Sequence, residues 1–146
     1  MFIKTPENAQ EWDAYFDLRW RILRAQWNQP KGTEKDETEH EVNTFHAMAV
    51  NDSGDICGVA RLHLISENNA QLRYMAVNEA FQGKGVGKAL IKFLENQAVT
   101  MGIGTIILQA RENAVNFYLS QGYSVVEKTF LLYDSIQHYM MQKNLR

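Results

Sequence analysis

The stretch Val77-Asn-Glu-Ala-Phe-Gln-Gly-Lys-Gly-Val-Gly-Lys88 decides how this chain is read. Glycines at 83, 85 and 87 sit between an upstream strand pattern, Gln71 to Val77, and a downstream helix pattern. In the latter, Val86, Leu90, Leu94, Ala98 and Met101 recur at steps of three and four, which predicts a helix from about Gly85 to Thr100. A glycine turn in that place gathers backbone N–H groups that have no partner in the helix, together with the positive end of its dipole. Such a turn suits an anion, and Lys84 and Lys88 add charge. The plainer alternative is a turn that only lets helix and strand pack closely. Two nucleotide patterns fail at named positions. A Walker A loop ending at Gly87-Lys88 needs glycine where Gln82 stands and a hydroxyl where Ala89 stands. The dinucleotide pattern Gly-x-Gly-x-x-Gly needs glycine at 86 or 88, where Val86 and Lys88 stand.

Outward from the turn, elements follow in a regular order. Trp12, Phe16, Trp20, Leu23 and Trp27 predict a first helix, about Glu7 to Trp27, with these residues on its apolar face. Asn28 to Val42 reads as a loop carrying the acidic run Glu34 to Glu41. Phe45–Val50 and Ile56–Ile65 flank the turn cluster Asn51 to Asp55 and predict an antiparallel hairpin. After the central helix, Thr105 to Ala110 is a continuous apolar run, expected of a strand covered on both faces. Asn113 to Gln121 fits a short helix closed by Gly122, and two last strands span about Tyr123–Phe130 and Ile136–Met141. The order α, β, β, β, α, β, α, β, β gives a single α/β domain over residues 1–146. Its sheet is mixed and mostly antiparallel, with helices on both faces and a central β-α-β unit.

Composition narrows the function classes. Apolar residues make up 45% and charged residues 22% of the 146, which excludes disorder and low-complexity repeats. A net charge of −2 supplies no global basic field for nucleic acid or an anionic membrane. Cys57 is the single cysteine, so neither an internal disulfide nor a thiolate pair for a metal is available, and no metal is expected. Met1 to Glu7 lacks the basic flank and apolar core of a signal peptide, and no run nears the roughly 18 apolar residues of a membrane span. A cytoplasmic location is expected.

Gln82-Gly-Lys-Gly-Val-Gly87 resembles the Arg/Gln-x-x-Gly-x-Gly/Ala pyrophosphate loop of the GNAT N-acetyltransferase superfamily. Arg73-Tyr-Met-Ala-Val77 resembles that family's fourth strand, and Asn113 to Tyr123, with Phe117-Tyr118 four residues before Gly122-Tyr123, its second cofactor segment. His138-Tyr-Met-Met141 is similar to its closing strand, so the likeness in element order covers nearly the whole chain. The resemblance implies acetyl-CoA as cosubstrate and direct transfer of the acetyl group to an amine. It places the diphosphate on Gln82, Gly83, Lys84, Gly85, Val86, Gly87 and Lys88. A bulged strand pairs with pantetheine through Met75, Ala76 and Val77, and a backbone N–H near Met75 or Val77 meets the thioester oxygen. Tyr118 is the implied general acid. An Asn common seven residues before that tyrosine is Arg111 here, with Asn113 two places on; both stand as cofactor-side candidates. The family's frequent pairing through edge strands or a helix face makes a homodimer one expected assembly.

Thioester-to-amine transfer also needs a base. Glu37, Glu39, His40, Glu41, His46 and His63 all occur in segments that could border the acceptor, and nothing in the sequence selects among them. The run Glu34 to Glu41 is either a solvated loop or a negative rim favouring a cationic amine. Cys57 reads as a small buried thiol rather than an acyl carrier. Beside the transferase stands a second class, a non-catalytic acyl-CoA-binding sensor that would keep the loop yet release no CoA.

Overall fold

The computed structural model describes all 146 residues. The chain runs β1 (Phe2–Lys4), α1 (Ala9–Leu23), β2 (Thr44–Val50), β3 (Ile56–Leu64), β4 (Asn69–Val77), α2 (Val86–Thr100), β5 (Thr105–Arg111), α3 (Val115–Ser120), β6 (Ser124–Leu132) and β7 (Ile136–Asn144). One seven-stranded sheet has the order β1-β2-β3-β4-β5-β7-β6. Only β4 and β5 are parallel, joined by α2 as the predicted β-α-β unit. The expected mixed sheet is therefore present, with one addition: β1, too short to show a period, pairs Phe2 to Lys4 with Val50 to Met48.

Two cores lie on the two faces of the sheet. Under α2, Ala47, Ala49 and Ala60 join Val86, Leu90, Leu94, Ile106 and Leu108. Small residues on β2 and β3 let α2 come close: a Cβ on Gly58 would lie 2.7 Å from Val86. Under α1, Tyr15, Phe16 and Leu18 pack on Met48, Val50, Val59 and Ala76. Asn8 caps α1 by accepting from the Glu11 amide at 2.9 Å.

Three sequence expectations change here. First, α1 ends at Leu23, and Ala25–Trp27 forms a separate 3₁₀ turn. The buried stripe of α1 is Tyr15, Phe16, Leu18 and Arg19, leaving Trp12 and Trp20 at its margins. The stripe is rotated because Arg19 has a buried partner, which apolar periodicity cannot reveal. Second, the acidic run is not merely solvated, since Glu34 and Glu39 are buried. Third, β5 alternates buried and half-buried residues instead of being sealed on both faces.

Candidate active site

The centre of the site is the place where β4 and β5 part. Their pairing runs from Asn69↔Thr105 to Leu72↔Leu108 and stops there, although both strands continue. The β3–β4 register shifts at the same point: Arg61 faces Arg73 and Val59 faces Ala76, so one residue of β3 opposes two of β4. This is a β-bulge, and Tyr74 supplies its backbone turn with φ +56°. The bulge reverses side-chain parity. Ala70 and Leu72 point to the α2 core before it, whereas Ala76 points to the α1 core after it. Asn78 donates its amide to Cys57 O at 2.8 Å, across β3. By the two-residue period of a strand, the Val77 amide, and with it that of Met75, faces the opposite side, where β5 has departed. The result is an open strand edge lining the cleft between the parted strands.

Beyond β4, the glycine turn folds as expected of an anion cradle. Gly83 and Gly85 have φ of +75° and +82°, and Gly85 is the N-cap of α2. None of the amides from Gly83 to Lys88 donates to a backbone acceptor; Ala89, to Gly85 O, is the first that does. The Gln82 side chain turns back and donates to Val77 O at 3.3 Å, tying the loop to the end of β4. Gly87 has a different duty: a Cβ there would lie 3.0 Å from the Phe117 ring, so its glycine lets α2 and α3 touch.

Tyr118 lies on α3, which follows β5, and is 7% exposed among Phe117, Tyr123 and the α2 core. Burial pushes its phenol far above the usual range, so it is protonated at neutral pH. Arg111 ends β5 and donates to Leu23 O, the last carbonyl of α1, at 3.1 Å. Burial first, and Arg24 second, lower its pKa. Asn113 is exposed on the short 3₁₀ turn that leads into α3.

On the α1 side of the cleft the structure brings together residues that no spacing singled out. Arg19 and Arg61, 0% and 1% exposed, both reach Glu39 Oε2, at 2.8 and 3.1 Å. Asp36 takes Arg61 at 2.9 Å, Arg73 at 3.2 Å and the Tyr74 hydroxyl at 3.2 Å. Guanidinium carbons of Arg19, Arg61 and Arg73 lie 4.4, 5.0 and 4.7 Å from the Tyr74 ring centre. Burial alone would raise both carboxyls, yet the arginines and the Thr38 and Asp36 amides outweigh it and hold Asp36 and Glu39 below the usual range. The bulge residue is thus clamped from several sides. An arginine at a helix core position and another inside the apolar strand Cys57 to Leu62 were the available sequence signals.

The base candidates separate sharply. Glu39 is consumed by its arginines. His46 Nε2 donates to Glu39 O at 2.6 Å, which leaves Nδ1 to accept from the Tyr15 hydroxyl at 2.8 Å. Both ring nitrogens of His46 are engaged. His63 meets Thr44 at 2.9 Å and pairs with Gln71, beside the closed part of the cleft. Glu37, His40 and Glu41 are exposed on the loop, with His40 against Trp12. A residue outside the expected set stands at the open end: His138, opposite Arg111 on β7. Its Nδ1 donates to Ile136 O at 3.0 Å, so Nε2 carries the lone pair. Burial, with Arg111 and Arg24 adding to it, lowers its pKa.

A strand edge opened by a bulge runs into a helix-capping cradle of free amides, an arrangement able to take an extended amide-bearing chain and an anion. The acetyltransferase (GNAT) family model matches residues 12–123, and the chain belongs to that family. It is 28% identical over 138 residues to an uncharacterized N-acetyltransferase, YjcF, of Bacillus subtilis, across 94% of this chain and 96% of that one. Among solved structures, an aminoglycoside 6'-N-acetyltransferase complexed with coenzyme A superposes with a TM-score of 0.83 at 17% identity, over 100% of this chain and 98% of that one. A putative N-acetyltransferase from Lactobacillus plantarum does so at 0.84 and 19%, over 99% and 98%. Family membership makes the protein an acyltransferase of the GNAT type, and the solved structures show that it shares their fold. No helix is long and apolar enough to cross a membrane.

Proposed function

We propose that this protein transfers the acetyl group of acetyl-CoA directly to an amine, with the diphosphate on the Gly83–Lys88 amides. Gln82 shapes the loop by holding Val77 O, and Lys84 and Lys88 supply charge. Pantetheine lies along Met75, Ala76 and Val77 as an added strand, because its amides match an edge that has lost its neighbour. Asn113, exposed ahead of α3, is placed to meet the cofactor from the other wall, whereas Arg111 is already tied to α1. No metal takes part in this reading.

Chemistry follows from the cleft. The amine nitrogen attacks the thioester carbon, and a C–N bond forms as negative charge gathers on oxygen. An amide of Met75 or Val77, already fixed by the bulge, stabilises that charge without reorganisation. His138 Nε2, neutral at pH 7, takes the nitrogen's proton. Collapse breaks the C–S bond, and Tyr118 gives its proton to the departing sulfur. A phenol kept protonated by burial, with no hydrogen bond holding it elsewhere, suits that task.

The observation that carries this reading is the coincidence of the β4–β5 parting with the free-amide cradle at the end of the same strand. Acetyl-CoA should raise the melting midpoint with concentration, and ATP or NAD much less. Thiol release should follow when an amine panel is added. Equal shifts by ATP and acetyl-CoA would remove the pantetheine slot. Stabilisation by acetyl-CoA without CoA release on any amine would favour the sensor class.

A further inference from the structure

On the acetyltransferase reading, the cofactor enters from the side of its cradle and leaves the other side of the sheet to the acceptor. The amide cradle belongs to α2, so the cosubstrate's diphosphate lies on the α2 face. The acceptor must then reach the thioester from the α1 face, and the charge on that face bears on its chemistry. Leu108 and Ala110 of β5 point to the α2 core, which puts Arg111 on the α1 side, next to His138.

Two arginines there have no carboxylate within 4.0 Å: Arg24 and Arg111. Both are half-buried, and both donate to the same Leu23 carbonyl at 3.1 Å. Arg24 spends one more N–H on Thr33 O, also at 3.1 Å. A guanidinium has five N–H donors, so most of theirs remain unspent. Arg24 also lies 5.9 Å from the Tyr74 ring centre, which links the pair to the bulge. Nearby, Arg19, Arg61 and Arg73 share only Asp36 and Glu39. Five guanidinium groups stand against three carboxylates, Asp36, Glu39 and the buried Glu34, and this leaves a net positive site beside the parting strands. Like charges crowded on one carbonyl are costly unless an anion joins them, and guanidinium forks match carboxylate and phosphate oxygens.

We infer that the acceptor is a small amine that also carries an anionic group, a carboxylate or a phosphate, held by Arg24 and Arg111 while its nitrogen faces the thioester. This rests on the acetyltransferase reading, and it is opposite to the negative rim that the acidic run offered as one of two alternatives. Of the run's five carboxylates, Glu34 is buried and Asp36 and Glu39 are committed to arginines, which leaves Glu37 and Glu41 exposed on the loop. A polycationic amine would be repelled.

The test uses the protein saturated with CoA, so that the amide cradle is filled. Acetate and inorganic phosphate are titrated separately while the Nε–H resonances of Arg24 and Arg111 are followed by NMR. A saturable shift at both arginines, lost in Arg24→Gln, is expected; the stronger of the two anions identifies the group. No saturable shift with either anion overturns the inference. Kinetics then compare matched amines: glycine with glycinamide, and glucosamine 6-phosphate with glucosamine. The anionic member of the favoured pair should have at least a thirtyfold higher kcat/KM, falling below threefold in Arg24→Gln or Arg111→Gln, with acetyl-CoA KM within twofold of wild type. Equal or better turnover of the uncharged members, or of spermidine, overturns it. If the arginine shifts appear and acetyl-CoA still stabilises the fold, but no amine is acetylated, the anion site stands and the transferase reading fails.

Discussion

The amide cradle at Gly83–Lys88 and the arginine cluster around Tyr74 lie on opposite sides of one cleft and are built by opposite means. The cradle is backbone: its N–H groups are unspent, and its glycines at 83 and 85 would meet nothing within 4 Å with a Cβ added. The cluster is side chain. Arg19, Arg61, Asp36 and Glu39 complete one another, and only Arg24 and Arg111 are left without a counter-charge. A diphosphate common to every CoA thioester can be met by a repeated local motif. A particular acceptor has to be met by groups brought from α1, the following loop, β3, β4 and β5.

If the cluster is the structural keystone of the α1 side, its loss should cost most. Glu39→Gln leaves Arg19 and Arg61 buried with too little charge, and should destabilise by about 3–5 kcal/mol in urea unfolding. A change under about 1 kcal/mol would show that the cluster is dispensable for folding. Acid titration probes the same region more gently. Burial holds His46 at about 4, below its ordinary value, so the neutral ring's contribution is complete above about 6.5. It is lost as pH falls from about 6.5 towards 4, by up to about 3 kcal/mol. Asp36 and Glu39, also depressed, add loss only below the ordinary carboxylate range near 4. A His46→Gln variant should flatten the upper part of that profile; an unchanged profile would exclude His46 as its source.

Tyr118→Phe tests the catalytic side of the comparison. Turnover should drop roughly ten- to a thousandfold while acetyl-CoA affinity and the melting midpoint barely move, since the hydroxyl has no partner within the chain to lose. Normal turnover on a confirmed amine would leave water as the acid. The cradle variants test ligand contact against packing. Gly85→Val forces a β-branched residue into φ +82° with open space around it, so acetyl-CoA should bind at least about tenfold more weakly to a protein still folded. Gly87→Val should instead lose stability through Phe117, and this contrast separates ligand contact from packing. Equal behaviour of the two variants would erase the distinction.

Local chemistry alone determined the glycine turn, the helix behind it and the parallel β-α-β unit, whereas Tyr118 became a candidate through the family resemblance. Glycine spacing, apolar period and turn residues are short-range properties, and each is written within about a dozen residues of the element it specifies. The tyrosine's role depended on resemblance, because one aromatic on a short helix is ambiguous. Tertiary structure decided the rest. The bulge at Tyr74 needs β3 for its register, and no glycine announces it. The rotated face of α1, the burial of Glu39 and the engagement of both nitrogens of His46 depend on partners 7 to 31 positions away in sequence. Charges in a sequence read as surface, since an unpaired ion is rarely buried. Only the folded chain shows which arginines have found their carboxylates and which two are still without one.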